Sequence, residues 1–196
     1  MSKGFEWTRH DEEIDVAAGA TVEVDAVIER VVDTTGFVAG EFHQHTLGSI
    51  DAVVPLPLKV LENAAEGIEV AVSTDHDNIV DFAPFVAELG LASQMQAFVG
   101  AEIGKQAIGH FNAYPYDVDA KDPFRDIGSR IWWLKTLPQM YADSRGAAGG
   151  DAIIQLNHPR ANGTGVTQAM NFDPSDGQRI PRAAPTLPTL PVDICT

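Results

Sequence analysis

The sequence is poor in the residues that several common functions require. It contains a single cysteine, Cys195, among 196 residues, so an intrachain disulfide and a zinc site built from thiolates are both excluded. No run of about 18 consecutive apolar residues occurs, which argues against a membrane-spanning helix. Residues 1–6 lack the apolar core of a signal peptide, so the expected location is the cytoplasm.

Basic residues are also scarce. Lysine and arginine total 13 against 28 aspartates and glutamates, which gives a formal net charge of −15. This balance argues against broad binding to nucleic acid or to an anionic membrane, because phosphate binding requires clustered Lys and Arg. It suits a protein that holds divalent cations, although a solvated acidic surface is the simpler explanation.

Several catalytic signatures are missing. There is no G-x-S-x-G motif, and Ser49, Ser73 and Ser144 lack a catalytic sequence context. Neither a phosphate-binding G-x-x-x-x-G-K-[ST] loop nor a G-x-G-x-x-G fingerprint occurs, which argues against a nucleotide cofactor. Trp132 and Trp133 are expected to be packing residues. The missing motifs therefore argue against a serine nucleophile and against a nucleotide cofactor.

Hydrophobic patterning divides the chain into three parts. Residues 1–36 contain TVEVDAVIERVV at 21–32, whose period of two predicts one or two strands and hence a short β segment. Over residues 37–170, short apolar runs alternate with helix-compatible segments, which predicts an α/β fold with a largely parallel sheet. Residues 171–196 contain five prolines and no apolar period, so an extended or poorly ordered tail is expected.

Four of the apolar runs are each followed by residues that can bind a metal. FVA precedes His43 and His45, VAV precedes Asp75 and His76, FV precedes Glu102, and II precedes Asn157 and His158. Because the carboxyl ends of parallel strands meet at one edge of a sheet, these side chains are expected to converge.

The H-x-H pair adds a geometric argument. Residues two apart on a strand point to the same side, so His43 and His45 can bind one ion. A single histidine near a strand end is more often structural, and His10 is expected to be such a surface residue. The joint pattern of imidazoles and carboxylates without thiolates favours zinc, with manganese or iron as alternatives. Glu102 could bridge two ions, with a bridging water as the nucleophile.

Five strings in a fixed order resemble motifs of the polymerase and histidinol phosphatase (PHP) family of metallohydrolases. They are GEFHQHTLGSID, STDHD, GAEIG, GHFNAYP and LNHPR. The closer likeness is to the branch that includes bacterial carbaryl hydrolases, and it covers about residues 37–165. The resemblance implies a distorted (β/α)7 barrel with two or three divalent metal ions at the carboxyl ends of its strands.

The resemblance also implies roles for individual residues. The metal ligands would be His43, His45, Asp51, His76, Glu102, His110 and His158. Glu102 would bridge ions, while Asp75 and Asn157 would orient neighbouring imidazoles. Arg160 would meet an anionic oxygen of the substrate, with a surface salt bridge as the equal alternative.

The chain departs from the family pattern in two places. Glu41 stands where the family usually has Asp before the first histidine. The closing Asp-x-His motif is missing, since no histidine follows His158, and the incomplete PHP-like domain is expected to span residues 37–170. A barrel without its last strands would expose a sheet edge, so two chains are expected to associate as a homodimer.

The expected function is metal-dependent ester hydrolysis of small molecules. Activated phosphodi- or triesters attacked by metal-bound hydroxide are the leading reaction, with the weak selectivity of an open site. Carbamate or carboxylic ester hydrolysis would use the same residues. A metal-binding remnant without turnover is the alternative from a different functional class.

Overall fold

The structure is a computed structural model of the chain. It describes residues 3–105, 109–117, 131–147, 150–161 and 164–166. The chain divides into two compact units, the first made of residues 1–104 and 111–155, the second of residues 105–110 and 156–196. The predicted tail, residues 171–196, lies outside the described part of the chain.

A parallel three-stranded sheet organises the first unit. Its strands are β1 (Gly40–Glu41), β2 (Val70–Ser73) and β3 (Gln96–Val99), in that order, with Gly40 opposite Val70 and Val70 opposite Gln96. Helix α1 (Leu56–Ala65) connects β1 to β2, and α2 (Ala83–Glu88) connects β2 to β3. The predicted alternation of parallel strands and helices is confirmed here.

The second sheet has the order β4-β5-β6 and comprises β4 (Ala101–Lys105), β5 (Gly109–Tyr114) and β6 (Ile153–Leu156). Helix α3 (Leu137–Ala147) precedes β6. The described residues therefore form a mixed α/β fold with two small sheets, and the (β/α)7 barrel stays a prediction. No helix in this part of the chain has both the length and the apolar character needed to cross a membrane.

Helix α1 ends just before a glycine in a left-handed conformation. Gly67, just beyond its cap residue Glu66, has a φ of +73°, a left-handed conformation that glycine adopts without strain. Its N–H donates to the carbonyl of Ala64 at 3.1 Å and so satisfies a free helix-end acceptor. On its inner face α1 buries Val60 and Asn63.

The apolar core of this region packs both helices against the sheet. Its buried members are Val60, Ala71, Val80, Phe82, Val86 and Met95. Burial of each large side chain contributes about 1.5–3 kcal/mol to the free energy of folding. Since this core lies under α1 and α2, it fixes the loops that leave β1 and β2.

The N-terminal segment differs from the prediction. Residues 8–29 form no strand, and the pairing of this region is an isolated antiparallel bridge between Trp7 and Arg30. Val22, Val24 and Val27 are exposed. A period of two stabilises a strand only where a sheet buries one of its faces, and no described element covers these valines.

Candidate metal centre

The ends of the strands bring together residues that are distant in sequence. His43 and His45 follow β1, His76 follows β2, and Glu102 lies in β4. His76 and Glu102 are neighbours through an isolated parallel bridge. The predicted convergence is thus confirmed for these four residues, although Glu102 lies within β4 and not at the end of a strand. The expectation that His43 and His45 lie on one strand was wrong. Strand β1 ends at Glu41, and both histidines lie in the loop beyond it.

Three imidazoles surround one carboxylate oxygen. The Oε2 atom of Glu102 lies 3.0 Å from Nε2 of His43, 3.1 Å from Nε2 of His45 and 3.5 Å from Nε2 of His76. Glu102 is 1 % exposed. A buried carboxylate requires compensating charge or hydrogen bonds, and this one faces three potential metal ligands.

Asp51 extends the cluster toward solvent. Its Oδ2 atom lies 3.4 Å from Nε2 of His76, and its Oδ1 atom lies 3.8 Å from Nδ1 of His45. The side chain of Asp51 is 51 % exposed. The rings of His45 and His76 stack with their centroids 4.9 Å apart.

These residues form two overlapping groups of three that share His45. One group is His43, His45 and Glu102, and the other is His45, Asp51 and His76. Within each group the ligand atoms lie within 4.8 Å of one another. Imidazole nitrogen and carboxylate oxygen are the ligands that zinc and similar ions accept. The histidine cluster around Glu102 could therefore hold a metal ion.

The charges of the cluster favour a cation. Burial lowers the pKa of His45, but its hydrogen bond to Glu102 and the nearby carboxylates outweigh this and raise the pKa above its usual value. For Asp51, burial raises the pKa, but the hydrogen bond from Ser49 and the charges of His45 and His76 lower it overall. Positive charge is thus stabilised at this position.

The carboxylates of Asp75 and Glu41 hold the backbone of the loop that follows β1 and carries both histidines. Asp75 is fully buried and accepts hydrogen bonds from N and Oγ1 of Thr46. Burial raises the pKa of Asp75, and the two Thr46 bonds oppose that rise. Glu41 accepts the N–H of His43 at 2.9 Å. Asp75, predicted to orient an imidazole, thus makes its hydrogen bonds to Thr46.

Gln44, which lies between the two histidines, is held by hydrogen bonds to buried partners. Gln44 donates its N–H to Oγ1 of Thr74 at 2.7 Å and its side-chain Nε2 to the carbonyl of Val72 at 3.1 Å. Asn63 of helix α1 donates to Oε1 of Gln44 at 2.9 Å. No sequence pattern indicates this network, because Asn63 occupies an ordinary polar position of an amphipathic helix.

Ser49, like Asn63, supports the site without having been predicted from the sequence. It is 6 % exposed, and the sequence offers it no catalytic context. Its Oγ atom contacts His45 and Asp51 and accepts the backbone N–H of His76. The available signal was its position within the first motif, between His45 and Asp51.

The backbone also links the loop after β2 to β4. Glu102 donates its N–H to the carbonyl of Asp75 at 3.1 Å, and the carbonyl of Glu102 accepts the N–H of Asp77 at 2.8 Å. These two bonds flank His76. The position of His76 beside Glu102 is therefore held by main-chain hydrogen bonds on both sides of His76.

The two later histidines lie in the second unit. The rings of His110 and His158 meet edge to face with their centroids 5.1 Å apart. Backbone bonds from His110 to Thr164 and from Asn157 to His110, both 3.1 Å, hold this region. Asn157 is buried and Arg160 is exposed on a turn. The structure thus brings His110 and His158 together within this unit, and their role as metal ligands stays a prediction.

Comparison of the chain with protein-family models, with curated proteins and with solved structures finds no match.

Proposed function

We propose that this chain is a metal-dependent hydrolase of small esters, with activated phosphodi- and triesters as the leading substrate class. The observation that carries the proposal is the meeting of three imidazole Nε2 atoms at one buried oxygen of Glu102. The order of motifs that resembles the PHP family supports the same reaction class.

A metal ion explains the cluster better than ion pairs alone. Three protonated imidazoles within a few ångströms of each other would repel, and one buried carboxylate neutralises only one of them. A divalent cation instead bonds to the neutral lone pairs of the histidines and to the carboxylate at the same time. We propose two ions, zinc in the first place, with manganese or iron as alternatives.

When bound, the ions would supply Lewis acidity toward the ester oxygen and lower the pKa of water. Glu102 would hold the inner position together with His43 and His45. Asp51 and His76 would form the outer position, and the exposure of Asp51 marks the side from which a substrate would approach. The roles predicted for His110, His158 and Arg160 stay predictions, as does the homodimer.

Two other functions use the same residues. Carbamate or carboxylic ester hydrolysis would need the same ions and differ in the atom attacked, in keeping with the likeness to carbaryl hydrolases. Metal binding without turnover is the other alternative, because a cluster of imidazoles and carboxylates can hold an ion without catalysing a reaction.

Metal analysis combined with turnover assays tests the proposal. The full chain is purified without added metal, its metal content is measured, and hydrolysis of p-nitrophenyl phosphodiesters, phosphotriesters, acetate and a carbamate is followed before and after chelation. The expected result is bound metal and phosphoester turnover that chelation abolishes and metal restores. His10→Ala, in the N-terminal segment, is the matched control and should behave as the unchanged chain.

Three other outcomes would each overturn or change a part of the proposal. Bound metal without chelator-sensitive turnover of any ester would overturn the enzyme and favour the metal-binding alternative. Faster turnover of the carbamate or acetate than of the phosphoesters would change the substrate class. A chain that takes up no divalent metal would overturn the centre itself.

A further inference from the structure

The Ser49 hydroxyl makes three contacts, each to a residue of the cluster. Its Oγ atom lies 2.6 Å from Oδ1 of Asp51 and 3.2 Å from Nδ1 of His45, and it accepts the N–H of His76 at 3.1 Å. The residue is buried. A hydroxyl has one proton and two lone pairs, so three contacts use its full capacity.

The hydrogen-bond roles of His76 and Asp51 determine the role of the third partner, Nδ1 of His45. The backbone N–H of His76 can only donate, so it occupies one lone pair of Oγ. Oδ1 of Asp51 accepts the hydroxyl proton of Ser49 at 2.6 Å. The remaining lone pair faces Nδ1 of His45. That nitrogen must therefore carry a proton and donate it to Ser49.

We propose that Ser49 is a positioning residue that selects the ligand atoms of the metal centre. It reserves Nε2 of His45 for metal by engaging Nδ1, and Oδ2 of Asp51 by engaging Oδ1. This inference rests on the proposed metal centre and adds to it the atoms through which two ligands act.

The atoms that Ser49 leaves open face the rest of the cluster. Nε2 of His45 lies 3.1 Å from Oε2 of Glu102, and Oδ2 of Asp51 lies 3.4 Å from Nε2 of His76. The hydrogen bonds of the hydroxyl and the separation of the ligand atoms are independent observations. Both assign the same nitrogen and the same oxygen.

This assignment separates the two overlapping groups. With its Nδ1 protonated, His45 serves the inner group with His43 and Glu102. The outer position then relies on Asp51 and His76, together with Glu102 if that carboxylate bridges the two ions. The inner position should consequently bind the first ion, and the outer position should bind a second ion more weakly.

Cadmium NMR of the full chain tests the inference. Cadmium replaces zinc as a magnetic probe, and with isotope-labelled histidine its scalar coupling identifies the ligating nitrogen of each ring. A His45→Gln variant assigns the signals of that ring. In the unchanged sequence we expect His45 to couple through Nε2.

Substitutions at position 49 test the role of the hydroxyl. Ser49→Ala should yield coupling through both nitrogens of His45, with cadmium affinity lower by roughly 10–100-fold, as for other outer-shell partners. Ser49→Thr keeps a hydroxyl and should restore the Nε2 coupling. Ser93→Ala, an exposed serine, should change neither quantity. Circular dichroism of the metal-free variants separates lost ligation from lost folding.

The outcomes distinguish this inference from the function on which it rests. Coupling through Nδ1 in the unchanged chain, or a folded Ser49→Ala with unchanged coupling and affinity, would overturn the role of Ser49 alone. A folded Ser49→Thr that behaves as Ser49→Ala would do the same. No cadmium uptake by the unchanged chain would overturn the metal centre and this inference with it.

Discussion

Thr46 and Asp75 are joined by two hydrogen bonds, since N of Thr46 donates to Oδ1 of Asp75 at 2.6 Å and Oγ1 of Thr46 donates to Oδ2 at 2.8 Å. The pair ties the loop that follows β1 to the loop that follows β2. Both residues are completely buried. The carboxylate therefore acts on the candidate metal centre through the backbone beside His45.

Removing this carboxylate should lower stability as well as metal binding. Asp75→Ala leaves the buried N–H and hydroxyl of Thr46 without their acceptor, which should cost roughly 1–3 kcal/mol for each group. Urea unfolding of the metal-free chain measures the loss. Asp75→Asn retains one acceptor and should lose less. Equal stability of Asp75→Ala and the unchanged chain would contradict the role of this pair.

Glu102 should be decisive for metal content. Glu102→Ala removes the oxygen that faces three histidines, so the bound metal should fall by more than one ion's share if the carboxylate bridges two ions. Metal analysis after gel filtration measures this. Glu88→Ala removes an exposed glutamate of α2 and should leave the metal content unchanged. Undiminished metal in Glu102→Ala would rule out a bridging role.

Asn63 should affect the centre from within helix α1. Asn63→Ala removes the donor to the buried Oε1 of Gln44, at a cost of about 1–3 kcal/mol, and loosens the loop that carries both histidines. Metal affinity should fall together with the free energy of unfolding. Glu62→Ala, next to it on the exposed side of the helix, loses only a surface pair with Lys59, worth about 0–1 kcal/mol. Isothermal titration with zinc compares the two variants.

Tyr116 should make stability depend on alkaline pH. Burial raises its pKa to about 12, against about 10 in an unfolded chain. Between pH 10 and pH 12 the folded state therefore keeps the phenolic proton of Tyr116 while the unfolded state loses it. The contribution of Tyr116 to the free energy of unfolding is thus complete below pH 10 and is lost as pH rises toward 12. The loss amounts to roughly 3 kcal/mol. Unfolding of Tyr116→Phe should lack this part of the pH dependence, and identical profiles for the two chains would contradict it.

The sequence predicted the elements that local patterns determine. Helix α1 follows from its apolar spacing and from Gly67, and the approach of His76 to Glu102 follows from where parallel strands end. By contrast, the alternation over residues 21–32 predicted a strand that the structure lacks, because period alone does not supply a neighbouring sheet. The histidine pair converges on Glu102 from a loop and not from a strand.

The residues that support the site could not be predicted in the same way. Ser49 contacts His45 and Asp51 within its own loop, but its bond from His76 and the bond from Asn63 to Gln44 span 27 and 19 residues of the chain. Such distant pairings depend on how the loops pack. A serine or an asparagine has no distinctive sequence pattern when its partners are a backbone N–H and a glutamine side chain. Their roles become visible only as hydrogen bonds with defined donors and acceptors.

The backbone hydrogen bonds on either side of His76 bear on how quickly a metal could be loaded. Because they set the spacing between His76 and Glu102 through the main chain, uptake should require little movement of the backbone at this position. The rate of loading would then be governed by how readily the incoming ion sheds water and passes the partly exposed Asp51.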